Sequence, residues 1–162
     1  MDAHYLDLVP CPSRKPGGSP ITSRPSRGLI DVHTHAVDPD LPDLSRHHPG
    51  DRWPSVEHTG ERAAWLHYGG QRYRQLDHRC WSAAARLADM DRDGVAMQVI
   101  SPIPVTLCYD ADPAGTAELA AAQNDFFARI VTEHPTRFAA LAAVALQDPD
   151  LAVAELRRCM GR

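Results

Sequence analysis

Residues 29–35 read Leu-Ile-Asp-Val-His-Thr-His, a β-branched run in which apolar and polar positions alternate. Alternation with a period of two predicts a strand with two unlike faces. Asp31, His33 and His35 fall on one face, and Ile30, Val32 and Thr34 on the other. Residues 36–61 lose that pattern and read as a polar, proline-rich loop in which His47, His48 and His58 face water. Apolar and aromatic residues return at 63–68 and 71–76 around Gly69-Gly70, a pair suited to the positive φ angles of a tight turn, which predicts a hairpin over about 62–77. Regular register across that turn places Tyr68 opposite Gln71, His67 opposite Arg72 and Trp65 opposite Arg74, with a guanidinium across from an indole.

Beyond the hairpin the period lengthens. Trp81, Ala85 and Ala88, with Leu87 and Met90, predict an amphipathic helix over 81–93 that Gly94 ends in the left-handed conformation. A continuous apolar run at 95–100 predicts a buried strand, stopped by Pro102 and Pro104. Asp112-Pro113 is a helix start, with aspartate as cap and proline at the first helical position. Leu119, Phe126, Phe127, Ile130 and Val131 form its buried stripe, and His134-Pro135 ends it. A third apolar run at 138–146 and a second Asp-Pro start at Asp148-Pro149 lead into a last helix through Leu151, Leu156 and Met160. Strand and helix thus alternate three times, the signature of parallel βαβ units.

Composition narrows the picture. The first 28 residues hold five of the fourteen prolines together with glycines, serines and four basic residues, so they are expected to form a disordered tail, with the ordered domain spanning 29–162. A formal charge of −4 supplies no electrostatic footprint for nucleic acid or an anionic membrane, and a small-molecule partner fits better. Cys11, Cys80, Cys108 and Cys159 are far apart without a C-x-x-C pair, which points to a reducing, cytoplasmic setting. No apolar run reaches the roughly 18 residues of a membrane span.

The chemistry concentrates at His33 and His35. Two imidazoles on one strand face can converge on a single divalent ion, and a catalytic site of this kind needs further ligands and an open position. Two solvated histidines on an edge strand are the competing explanation. His-Thr-His closing the first strand of a βα series resembles the amidohydrolase superfamily of metal-dependent barrels. Tyr73-Arg74, Arg79-Cys80-Trp81, Arg86, Met90-Asp91, Gly94-Val95, Gln98, Ser101, Pro104-Val105, His134-Pro135 and Arg137-Phe138 together resemble the aminocarboxymuconate-semialdehyde decarboxylase group, from about Leu29 onward.

That resemblance implies a (β/α)8 barrel of the TIM type, with one divalent ion, usually zinc, at the C-terminal ends of its strands. It implies non-oxidative loss of CO2 from an unsaturated carboxylic acid in aromatic or tryptophan catabolism, and a homodimer in the full-length family. His33 and His35 match metal ligands, and Arg74 matches the arginine that grips a substrate carboxylate. Asp31 is a candidate to support the ligands from one pleat below. The competing classes are another hydrolase or hydratase of the same superfamily, and a non-catalytic protein with a binding role. Three βα units and a hairpin fall short of the eight strands and roughly 250 residues of a closed barrel. The chain is therefore expected to be the N-terminal portion of one, with the catalytic acid or base and the remaining ligands on later strands, and to be inactive by itself.

Overall fold

The computed structural model describes residues 28–161. The expected tail, apart from Gly28, lies outside the described residues. Two three-stranded sheets organise the remainder.

The first sheet is parallel, in the order β1 (Leu29–Ala36), β5 (Val95–Pro102), β6 (Phe138–Ala140). β5 sits centrally because its apolar run can be covered on both sides. Among the described residues β1 is an edge strand that pairs with β5 alone, and its Leu29, Ile30 and Val32 are exposed, Val32 by 69%. β6 is shorter than the apolar run that contains it. After Ala140 one further bond joins the Leu141 N–H to the Ile100 carbonyl. The chain then leaves the sheet, and the buried side chain of Asn124 pairs with both backbone groups of Ala143 at 2.8 Å, as a neighbouring strand would.

The second sheet, β2 (Pro54–Gly60), β3 (Ala63–Tyr68) and β4 (Gln71–Asp77), is an antiparallel meander between β1 and the first long helix. The hairpin forms as expected, with Gly69 and Gly70 at φ +57° and +76°. β2 corrects the reading of residues 36–61 as loop throughout, and a single helical turn, α1 (Leu44–His47), precedes it. The register corrects a second expectation. Tyr68 faces Gln71 and His67 faces Arg72, but an irregularity between Leu66 and His67 slips the pairing, so Arg74 faces Leu66 and Trp65 faces Gln75. The guanidinium stacked on Trp65, 5.0 Å from its ring centre, belongs to Arg72.

Three longer helices follow: α2 (Ala83–Asp93), α3 (Pro113–Glu133) and α4 (Pro149–Met160). Their ends obey local chemistry. Ser82 caps α2 by accepting from Ala85 N–H, Gly94 ends it at φ +72°, and Asp112 and Asp148 cap α3 and α4 through their carboxylates. α2 begins two residues later than the apolar spacing implied, and Ala88 is exposed; its inner face carries Arg86 and Met90 instead. Phe126, Phe127 and Ile130 of α3 close over Met90, Ile100 and Phe138 to form the main core. α4 meets α3 with a polar face. Its buried residue is Glu155, held by Asn124 and Arg158, whereas Leu156 and Met160 are 51% and 78% exposed. The physical reason is that α4 meets α3 through this polar network, so its apolar side chains turn away.

Candidate active-site cleft

A cleft of about 690 Å³ opens where the end of β1 meets β4 and α2. His33, His35, Tyr73, Arg74, Arg86 and Gln98 line it. The three residues singled out from the sequence, His33, His35 and Arg74, thus share one wall system.

The two histidine rings lie 5.3 Å apart, nearly perpendicular at 88°. His35 is fixed from behind. Its Nδ1 lies 2.9 Å from the Pro102 carbonyl and 3.0 Å from Ser101 Oγ, and Ser101 Oγ itself donates to the Thr34 carbonyl. A carbonyl only accepts, so Nδ1 carries the proton and Nε2 keeps its lone pair. Burial pushes the His35 pKa below its ordinary value, the charges of His33 and Arg86 push the same way, and the bonds to Pro102 and Ser101 offset part of the fall. A neutral imidazole with a free Nε2 is the form that ligates metal. His33 is more exposed, and its backbone N–H donates to Asp31 Oδ1 at 3.1 Å.

Asp31 touches neither imidazole. Its Oδ2 accepts from Gln98 Nε2 at 3.3 Å, so its carboxylate braces the backbone of β1 and ties it to β5. Arg74 is exposed on the cleft wall, and among the described residues no carboxylate pairs with it. Arg79, five residues on, is by contrast held by Asp77 and Asp89. Among the described residues no group of three or more His, Cys, Asp or Glu is placed to hold an ion. The donors His33 and His35 fit as two members of a larger ligand set.

Of the three histidines expected to face water, His47 and His58 are exposed and His48 is not. His48 is half-buried, with Nδ1 3.1 Å from Asp112 and Nε2 3.2 Å from Glu118, and its carbonyl accepts from Trp53 Nε1. His47 lies 3.6 Å from Glu118, and His58 packs edge-on against Trp81. None of the three reaches the cleft wall. Arg86 entered the sequence reading only within the family pattern. A signal was present: four residues before Met90, it occupies the middle of a helix face that is otherwise apolar.

Comparison with known proteins accords with this geometry. The sequence profile of the family described as Amidohydrolase matches residues 30–162. A 2-amino-3-carboxymuconate-6-semialdehyde decarboxylase of Dictyostelium discoideum is 34% identical over 131 residues, covering 81% of this chain and 36% of the relative. A gamma-resorcylate decarboxylase of Rhizobium sp. (strain MTP-10005) is 30% identical over 135 residues, 83% of this chain and 36% of the relative. Among solved structures, a dihydroxybenzoic acid decarboxylase from Polaromonas sp. JS666, with bound manganese and the inhibitor 2-nitroresorcinol, superposes with a TM-score of 0.51 at 25% identity, over 83% of this chain and 35% of that one. The chain spans about a third of the length of these relatives. With the profile matching residues 30–162, nearly all of the described fold, this chain belongs to the amidohydrolase family.

Proposed function

We propose that these residues form the N-terminal part of a metal-dependent, non-oxidative decarboxylase of an unsaturated carboxylic acid resembling aminocarboxymuconate semialdehyde, acting in aromatic or tryptophan catabolism. The observation that carries this reading is one cleft holding two neighbouring histidines, their ring centres 5.3 Å apart, and an exposed arginine without a carboxylate partner among the described residues, in a chain most of which aligns with decarboxylases.

His33 and His35 hold a divalent ion, zinc in this reading, with the other ligands supplied by later strands of a (β/α)8 barrel. The bound ion supplies Lewis-acid polarisation of the substrate. Arg74 receives a substrate carboxylate through its planar fork of donors. Ser101 and the Pro102 carbonyl keep the proton of His35 on Nδ1. The β2–β4 meander is an insert after the first barrel strand and forms the cleft wall that carries Arg74. The enzyme is cytoplasmic and works as a homodimer.

A second substrate class is favoured by a specific observation: several of the matched relatives are gamma-resorcylate decarboxylases, one of them 39% identical over 75 residues. CO2 release from aminocarboxymuconate semialdehyde and from 2,6-dihydroxybenzoate, by protein expressed from its complete reading frame with zinc or manganese, separates the two. Replacing His33 and His35 together by alanine should abolish stoichiometric metal and turnover at once. Metal retained by the double variant would sink the ligand assignment.

A further inference from the structure

Arg86 is 7% exposed, and among the described residues no carboxylate touches its guanidinium. Burying an unpaired cation is costly, so the fold keeps it only where the cation satisfies acceptors that nothing else reaches. Those acceptors all belong to the histidine segment and its brace. Nη1 donates to Thr34 Oγ1 at 2.9 Å and to Gln98 Oε1 at 3.2 Å, and Nη2 donates to the His35 carbonyl. Gln98 passes the contact on through Nε2 to Asp31, whose other oxygen accepts the His33 backbone N–H.

The register explains why β1 needs this support. Between Asp31 and Thr34 β1 advances three residues while β5 advances two, from Gln98 to Ile100, so the ladder is interrupted beside His33. Arg86 and its relay span that interruption. One arm ends on the backbone of His35 and the other on the backbone of His33.

We propose that Arg86 is a positioning residue for both histidines, holding the irregular end of β1 so that the two imidazoles converge on one ion. The proposal deepens, and rests on, the reading of His33 and His35 as metal ligands. Its nearest precedent in physical terms is outer-shell support of metal ligands, whose loss commonly lowers affinity roughly 10–100-fold.

The test uses protein expressed from its complete reading frame, labelled with 15N and titrated with Zn2+, with long-range 1H–15N spectra reading the tautomer and ligation state of each imidazole. Arg86→Met should weaken zinc binding roughly 10–100-fold and erase the Nδ1–H signature of His35. Arg86→Lys, which keeps the charge but lacks the fork, should recover only part of both. Leu119→Ala is the control, because Leu119 packs with Leu44 and Trp53 away from the cleft; it should lower Tm without changing zinc affinity or tautomer. A folded Arg86→Met protein with parental zinc affinity and imidazole signals overturns the proposal, while His33 and His35 remain ligands if their own substitution abolishes binding. Should Arg86→Met fail to fold, Gln98→Leu cuts the arm that reaches His33 and Thr34→Val removes the acceptor next to His35, and parental behaviour in both overturns it equally. If the parent protein shows no zinc at these histidines, the metal reading fails, and the tautomer comparison still decides whether Arg86 positions them.

Discussion

Arg74 and Arg86 show that two arginines in one cleft can stand in opposite electrostatic settings. Arg86 is buried with Nη1 and Nη2 donating to the protein while its buried Nε finds no partner among the described residues, whereas Arg74 is exposed and, among the described residues, lacks a carboxylate partner. Removing Arg74 leaves no carboxylate of the described fold unpaired, so Arg74→Ala should leave Tm unchanged. Against substrate the loss should be large, because truncating one partner of a desolvated charge pair costs about 2–5 kcal/mol. Measuring kcat/KM and Tm together in the complete enzyme checks both halves of the statement. A variant within a few-fold of the parent would make Arg74 a bystander on the wall of the cleft.

At the level of elements, the stretch before β2 docks on the start of α3 by close approach. A Cβ placed on Gly115 would lie 2.6 Å from the Trp53 ring and 2.9 Å from the His48 ring, so only glycine admits both side chains. Gly115→Ala should therefore destabilise by about 1–3 kcal/mol, the usual cost of overpacking. Gly60 is the matched comparison, since a Cβ placed there would meet nothing within 4 Å, and Gly60→Ala should stay within about 0.5 kcal/mol. Urea midpoints of the two variants test the contrast. Equal midpoints would mean that Trp53 and His48 move aside freely.

The junction of α3 with α4 makes stability depend on acid. Burial pushes the Glu155 pKa up, but hydrogen bonds from Arg158, Asn124 and Cys159 outweigh it and hold the carboxyl below the ordinary glutamate value. The folded state thus releases this proton more readily than the unfolded state. Its contribution is fully present above the ordinary glutamate range of about 4.3 and is lost as pH falls through that value to the lower folded one. Urea midpoints between neutral pH and about pH 3 should fall less steeply for Glu155→Gln than for the parent. Parallel curves would remove Glu155 from the acid response.

For the molecule as a whole, the described surface carries a run of uncovered apolar side chains: Leu29, Ile30 and Val32 on β1, Leu141 and Leu146 after β6, and Val153, Leu156 and Met160 on α4. The edge of β1 adds backbone groups without a second neighbouring strand among the described residues. Exposed apolar area of this kind drives association. The 162-residue protein should form concentration-dependent oligomers in sedimentation and bind a hydrophobic dye. It should also show no zinc-dependent release of CO2 from aminocarboxymuconate semialdehyde. A monodisperse monomer with turnover would prove this wrong.

Local chemistry was legible from the sequence because its outcome is decided within about four residues. The tight turn at Gly69-Gly70, the left-handed end of α2 at Gly94 and the Asp-Pro starts of α3 and α4 all appear where the residues placed them. The same holds for the strand carrying His33 and His35, whose alternating pattern needs no partner to be read. What lay beyond that range was decided by tertiary structure. A one-residue slip in β3–β4 moved Arg74 from Trp65 to Leu66. Asn124 took over from a strand at Ala143, and a polar junction turned the apolar face of α4 outward. Arg86 reached the histidine segment from 51 and 52 positions away in the chain. Periodicity can say that a helix has an inner face, but which acceptors wait behind it depends on how strands distant in sequence are packed.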